Sequence, residues 1–202
     1  MPAWGLGHPD HSLLIRRDLS LGNDTERYAG ELSFLGDGFS FLSSYIAGSL
    51  KDPYAVSNEK AFTIQAQRSL GEKSRVGAGF YEGNNGQWHR KLANLFGVFA
   101  YSSSVFSQAE LDYQWKNSRK TQNGYVLSHI LGWEPRQGII PYILMQWESL
   151  DRDVPSRKVS AYALGANWYP RPHLELQGQV GREFYRTGLD TTAAFLMMNL
   201  YL

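Results

Sequence analysis

The sequence contains no cysteine in its 202 residues, which removes a disulfide framework, a thiolate metal site and a cysteine nucleophile from consideration. It also lacks any run of about 18 consecutive apolar residues, so no transmembrane helix is available to span or anchor. The formal net charge is only +1, which gives no bulk attraction for nucleic acid. Helix signals are nearly absent. The opening residues, MPAWGLGHPDHS, lack the basic start, apolar core and small-residue cleavage site of a secretory signal. For an exported protein, that leaves a signal already removed or a chain that is part of something longer. A soluble protein is the third reading.

What is abundant is aromatic: 12 Tyr, 10 Phe and 6 Trp make 14% of the chain, more than a small soluble domain usually needs. A mean hydropathy of -0.38 excludes a helical membrane protein but suits strands that are apolar only at every second position. The length is that of one domain. Runs of β-branched and aromatic residues recur every 12 to 20 residues or so, separated by clusters of Gly, Asn, Asp, Ser and Pro. They predict about twelve strands. The first six run from Ser12 to Leu21, Arg27 to Leu35, Phe39 to Leu50, Ala61 to Leu70, Arg75 to Glu82 and Leu92 to Tyr101. The others are Val105 to Lys116, Gly124 to Glu134, Ile139 to Ser149, Lys158 to Tyr169, His173 to Tyr185 and Thr192 to Leu202. Longer and shorter connections alternate between them, as in an up-and-down barrel.

Within the strands, one face is apolar and the other carries Gln, Glu and Asp. Leu174, Leu176, Gly178, Val180 and Phe184 alternate with His173, Glu175, Gln177, Gln179 and Glu183. Val105, Ala109, Leu111, Tyr113 and Trp115 alternate with Gln108, Glu110, Asp112 and Gln114. The same division recurs in the strands that hold Phe34, Ile64 and Trp147. A soluble lipocalin-like barrel reverses it, so period alone leaves both arrangements open. A Gln and Glu interior is, however, too polar for a dry core. Aromatic residues near strand ends of the apolar face, among them Tyr28, Phe34, Phe80, Tyr113, Trp115, Trp147, Trp168 and Phe184, suit headgroup depth.

The last strand reads TTAAFLMMNLYL, with Thr192, Ala194, Leu196, Met198, Leu200 and Leu202 on one face. It resembles the C-terminal strand of Gram-negative outer-membrane β-barrels, and the pattern from Leu13 to Leu202 resembles that class as a whole. The WYPRPHLELQGQ segment, Trp168 to Gln179, looks like the strand, short Pro turn and strand of porin-like proteins. The resemblance implies an all-β fold: a transmembrane up-and-down antiparallel barrel with short periplasmic turns and longer extracellular loops. Residues 1–11 are expected to be an N-terminal periplasmic leader and 12–202 the barrel.

The function expected of such a chain is a passive porin-like channel in the bacterial outer membrane for small polar solutes or ions. Its expected lining comprises Arg16, Asp18, Glu31, Gln65, Gln67, Arg75, Gln108, Glu110, Asp112, Gln114, Gln146, Glu148, Glu175, Gln177, Gln179 and Glu183. Acids outnumber bases there, which predicts modest cation preference if the pore is open. The same groups could instead pair across the lumen, through Arg16 or Arg75, and plug it. Lys51, Lys60, Arg90, Lys91, Lys116, Arg119, Lys120, Arg157 and Lys158 fall in or beside the predicted longer loops, as solvated charges or contacts to lipopolysaccharide phosphates. A structural or assembly barrel, part of a larger barrel, or a sheath around an exported or electron-carrying partner is the competing class. A lipid-active enzyme is disfavoured, because Ser128 and His129 are adjacent in a strand and face opposite sides. No cofactor is implied, and His8, His11, His89 and His173 have no spacing that compels a metal.

Overall fold

The computed structural model describes residues 28–48, 59–188 and 190–200. The predicted first strand, the boundary at residue 11, Arg16 and Asp18 all lie outside these residues, as do Tyr201 and Leu202. Among the described residues eleven strands form one antiparallel sheet in which each pairs with its sequence neighbours, from β1 to β11. They are β1 (Tyr28–Gly36), β2 (Phe39–Gly48), β3 (Lys60–Leu70), β4 (Ser74–Asn84), β5 (His89–Ala100) and β6 (Val105–Asn117). The second half comprises β7 (Thr121–Trp133), β8 (Ile139–Ser149), β9 (Lys158–Arg171), β10 (Leu174–Tyr185) and β11 (Thr191–Leu200). A 3₁₀ turn at Pro155–Arg157 precedes β9. Among the described residues β1 and β11 are not paired with each other. All eleven correspond to predicted strands, with ends displaced by a few residues.

Turn chemistry fixes where the strands reverse. Asp37 and Gly38 join β1 to β2, with Gly38 at φ 65°, the positive φ that a type II turn places at its second central residue and that glycine adopts without strain. Pro172 and His173 join β9 to β10, and His173 adopts φ 67°. Asn85 tightens the β4–β5 connection by accepting from the backbone N–H groups of Gln87 and Trp88, both at 3.0 Å. This shortens the predicted loop GNNGQWHRK to residues 85–88, and β5 begins at His89 rather than Leu92. The expected long β6–β7 loop is likewise reduced to 118–120, because pairing continues to Asn117 opposite Thr121. The alternation of loop lengths is therefore less regular than predicted. The longest connections, 49–59 and 150–157, do share one end of the sheet.

The cross-strand registers assign every side chain to one of two faces. On one face Leu32 is 72% exposed, Leu164 60% and Leu196 84%. On the other Asp112 is 1% exposed, Gln146 1% and Glu110 3%. A water-soluble fold buries the first set and exposes the second. Here the sheet rolls with its polar face inward and an apolar surface outward, as an outer-membrane barrel does. Aromatic side chains crowd the outer face near strand ends: Tyr162 packs edge-on against both Trp147 and Phe184, at centroid distances of 6.0 and 6.1 Å.

The inner face is not uniformly polar. Ile46, Ala61, Tyr81, Leu92, Val126, Leu144, Val159, Ala161 and Ala163 form a buried apolar cluster there. This is why β2, β5 and β7 have no clean alternation in sequence: in them, apolar residues occupy both faces.

The exposed leucines give a direct test of which solvent the outer face meets. Leu95→Arg, at an outward position of β5, is expected to cost about 2–4 kcal/mol of folding free energy in lipid. Equilibrium refolding into vesicles measures it, and a neutral substitution would indicate that water, not hydrocarbon, covers this face.

Candidate functional site

The inward face is built from rows of directly opposed residues. One runs Gln65, Gly79, Asn94, Asp112, Val126, Glu148, Val159 from β3 to β9. The next runs Gln67, Gly77, Phe96, Glu110, Ser128, Gln146, Ala161, Glu183 from β3 to β10. Glu31, Arg75, Gln108, Gln114, Glu175, Gln177 and Gln179 share this face by the same registers. The expected lining residues that fall within the described segments thus stand together on one side of the sheet. Ser128 is on this face and His129 is on the opposite one, so the two do not converge on a reaction centre.

Local contacts show how polar side chains are held there. Tyr142 on β8 reaches across β9 to donate to Gln179 Oε1 at 3.0 Å and accept from Gln177 Nε2 at 3.2 Å. It passes over Gly165, its directly opposed neighbour, where any side chain would overlap the phenol ring. Gly77 makes the same room for Phe96, its partner in the β4–β5 pair, and Gly132 for Phe106 across β6–β7. Glu175 accepts from Tyr169 Oη at 2.8 Å and from Asn199 Nδ2 at 3.1 Å. Asn94 Nδ2 donates to Glu110 at 3.4 Å, and Tyr185 donates to Glu183.

At the long-loop end of the same face lies an ion pair that composition and spacing did not disclose. Arg90 donates through Nε and Nη2 to Glu59, at 2.8 and 2.7 Å, and through Nη2 to Tyr81 Oη at 3.3 Å. The side chains of Arg90 and Glu59 are 5% and 0% exposed. Arg90 therefore does not belong with the solvated loop cations: once β5 starts at His89, Arg90 is its second residue and points inward. Its guanidinium also lies over the rings of Tyr81 and Trp88, at 4.9 and 5.1 Å. Lys116, directly opposite Arg90 on β6, places its Nζ 4.9 Å from the centroid of the same Trp88 ring. Lys91 instead points outward and bridges Glu82 at 3.2 Å, beside His89, which is 2.8 Å from Glu82. The signal for Arg90 was strand parity, which required the correct start of β5.

No protein-family model matches the chain, and no curated protein matches it by sequence. Solved structures do. A porin refined at 1.8 Å superposes with a TM-score of 0.68 at 11% identity, covering 87% of this chain and 62% of the porin. The fold is that of the outer-membrane porins. The outer-membrane channel DcaP of Acinetobacter baumannii gives a TM-score of 0.60 at 12% identity, over 85% of this chain and 61% of DcaP. The NanC porin gives 0.57 at 10% identity, over 88% of this chain and 95% of NanC. The chain thus spans about six-tenths of the first two structures and nearly the whole length of NanC.

The Arg90 and Glu59 pair sets a stability test. Arg90→Ala leaves a buried carboxylate without its cation and is expected to destabilise the barrel by about 3–5 kcal/mol. Adding Glu59→Gln should recover most of that loss, as measured by denaturant unfolding of the folded barrel. Equal stability of the single variant and the parent would contradict the buried pairing.

Proposed function

We propose that the protein is a porin-like channel of the bacterial outer membrane that passes small polar solutes or ions. The observation that carries this reading is the inverted partition of the sheet: buried Asp112, Glu110 and Gln146 on one face, exposed Leu32, Leu164 and Leu196 on the other. Gln146 Nε2 and Asn94 Oδ1 are buried on the inner face without a protein partner among the described residues. Buried polar groups require a partner, and on the inner wall of a barrel water supplies it.

The proposed lining comprises Glu31, Gln65, Gln67, Arg75, Gln108, Glu110, Asp112, Gln146, Glu148, Glu175, Gln177, Gln179 and Glu183, with Arg16 and Asp18 if the first predicted strand completes the wall. Carboxylates dominate it. Of the inward cations, Arg90 is matched by Glu59, leaving Arg75 and Lys116 against Glu31, Glu110, Asp112, Glu148, Glu175 and Glu183. This imbalance supports modest cation preference. Hydrocarbon covers the outer face. Lys60 and Lys158 face outward at the long-loop ends of β3 and β9, and their position supports contacts to lipopolysaccharide phosphates.

A structural barrel with a filled lumen is the second reading, and the inward apolar cluster around Tyr81 and Leu92 favours it. Planar-bilayer recording separates the two. A channel is expected to conduct with a cation-to-anion permeability ratio modestly above unity, and Asp112→Asn with Glu148→Gln to bring that ratio toward unity. A correctly folded barrel that stays silent supports the filled lumen, whereas clear anion selectivity removes the role of the acidic lining.

A further inference from the structure

The two longest connections both turn inward where they meet the wall. The β7–β8 ladder ends at Tyr125 and Ser149, so Gly124 and Leu150 are the next pair in register. Leu150 leaves the sheet instead, and its backbone occupies the space that a side chain at Gly124 would take. Asp151 is buried beyond it, and the Arg152 N–H donates to the Asn123 carbonyl at 2.9 Å. At the junction with β3, the carboxylate of Glu59 fills the space over Gly83 on β4 in the same way. Gly83 and Gly124 face inward, opposite Arg90 and Gln114. Neither has a positive φ, so each position requires the absence of a side chain and not a left-handed backbone.

Next to these two seats the inner face is closed over. Tyr81, Leu92 and Val126 are 0% exposed and Thr63 and Asp112 1%. An inner wall that faces a water-filled bore keeps its side chains wet, so burial this complete requires protein atoms packed against it from within the lumen. Leu150 is one such contact, packed against the cluster that holds Tyr81, Leu92 and Val126. Toward the short turns the same wall opens: Phe106, Gln108, Tyr142, Gln177 and Gln179 are half-buried, and Arg75 is exposed.

We propose that the passage is narrowest in the long-loop half of the lumen, where Leu92 and Val126 of the wall and Leu150 of the β8–β9 connection set the size of solute admitted. The short-turn half is a wider vestibule. The inference rests on the channel reading and deepens it: Asp112 and Glu148 flank Val126 in one row, so the level that limits size also carries the charge preference. Short turns lie on the periplasmic side of an up-and-down barrel, so the vestibule opens to the periplasm and the narrow level lies toward the outside.

The chain has no cysteine, so a single introduced thiol reports its own access. In sealed vesicles of known barrel orientation, Gln108→Cys and Gln177→Cys are expected to react with methanethiosulfonate ethylammonium about tenfold faster when it is added from the short-turn side. Leu150→Gly, and separately Leu92→Ala with Val126→Ala, are expected to raise single-channel conductance about twofold. Equal reaction from the two sides, faster reaction from the long-loop side, or a conducting parent whose conductance neither folded variant changes would overturn the proposal. Heat-modifiable electrophoretic mobility of each variant reports barrel folding separately. A barrel that stays silent in every variant while its thiols keep their side preference supports the narrow level and removes the channel reading, so the two failures are distinguishable.

Discussion

Every structural feature of this chain depends on one constraint: in hydrocarbon no backbone N–H or C=O can go unpaired. A sheet meets it only when each strand is bonded on both sides, and among the described residues β2 to β10 are so bonded, in sequence order without a crossover. Once pairing is continuous, side chains have two directions only. Whatever solvent lies on each side then dictates the residue types by parity, which is why Leu111 and Asp112 can be adjacent in the chain and differ so completely in surroundings.

The inner face obeys a second rule, because its polar groups have left bulk water without entering hydrocarbon. Arg90, Glu59 and Tyr81 form a closed set of charge-assisted hydrogen bonds, and Tyr142 joins two glutamines of β10. Such networks restrain the wall, since a side chain tied to two strands opposes slippage between them. The cost of breaking one lies in the partner left behind, which is larger than the net worth of the bond. The outer face has such couplings near strand ends, Glu82 with Lys91 and His89 and Arg182 with Asp190, and between them it relies on area and aromatic packing.

Much of the architecture was legible in sequence, because alternation survives wherever one face is strictly apolar. β3, β6, β8 and β10 show their polar and apolar sides without reference to any neighbour. β2, β5 and β7 do not, since Ile46, Leu92 and Val126 place apolar groups inward beside outward Tyr45, Leu95 and Leu127. Only pairing to β3, β6 and β8 assigns their faces. Arg90 was misplaced for a related reason: composition reads RK beside a Gly-Asn cluster as loop, whereas the Asn85 turn closes within a few residues and hands His89 and Arg90 to the strand. The side-chain parity of β5 is the same wherever the strand begins, so the boundary error of three residues did not change a face; it left Arg90 in the loop instead of on the inner wall.

The glycines of the inner face bear on whether its large side chains fill the lumen or line it. Phe96, Phe106 and Tyr142 each sit directly opposite a glycine, at Gly77, Gly132 and Gly165, and each ring occupies the space that a side chain there would take. A ring laid flat over the adjacent strand covers backbone and leaves the axis of the barrel clear. A ring opposed by a bulkier residue would have to stand away from the wall. Three such pairs on β4–β5, β6–β7 and β8–β9 distribute this arrangement around the described wall, on three separate strand pairs. Aromatic bulk at these three positions is therefore compatible with an aqueous path.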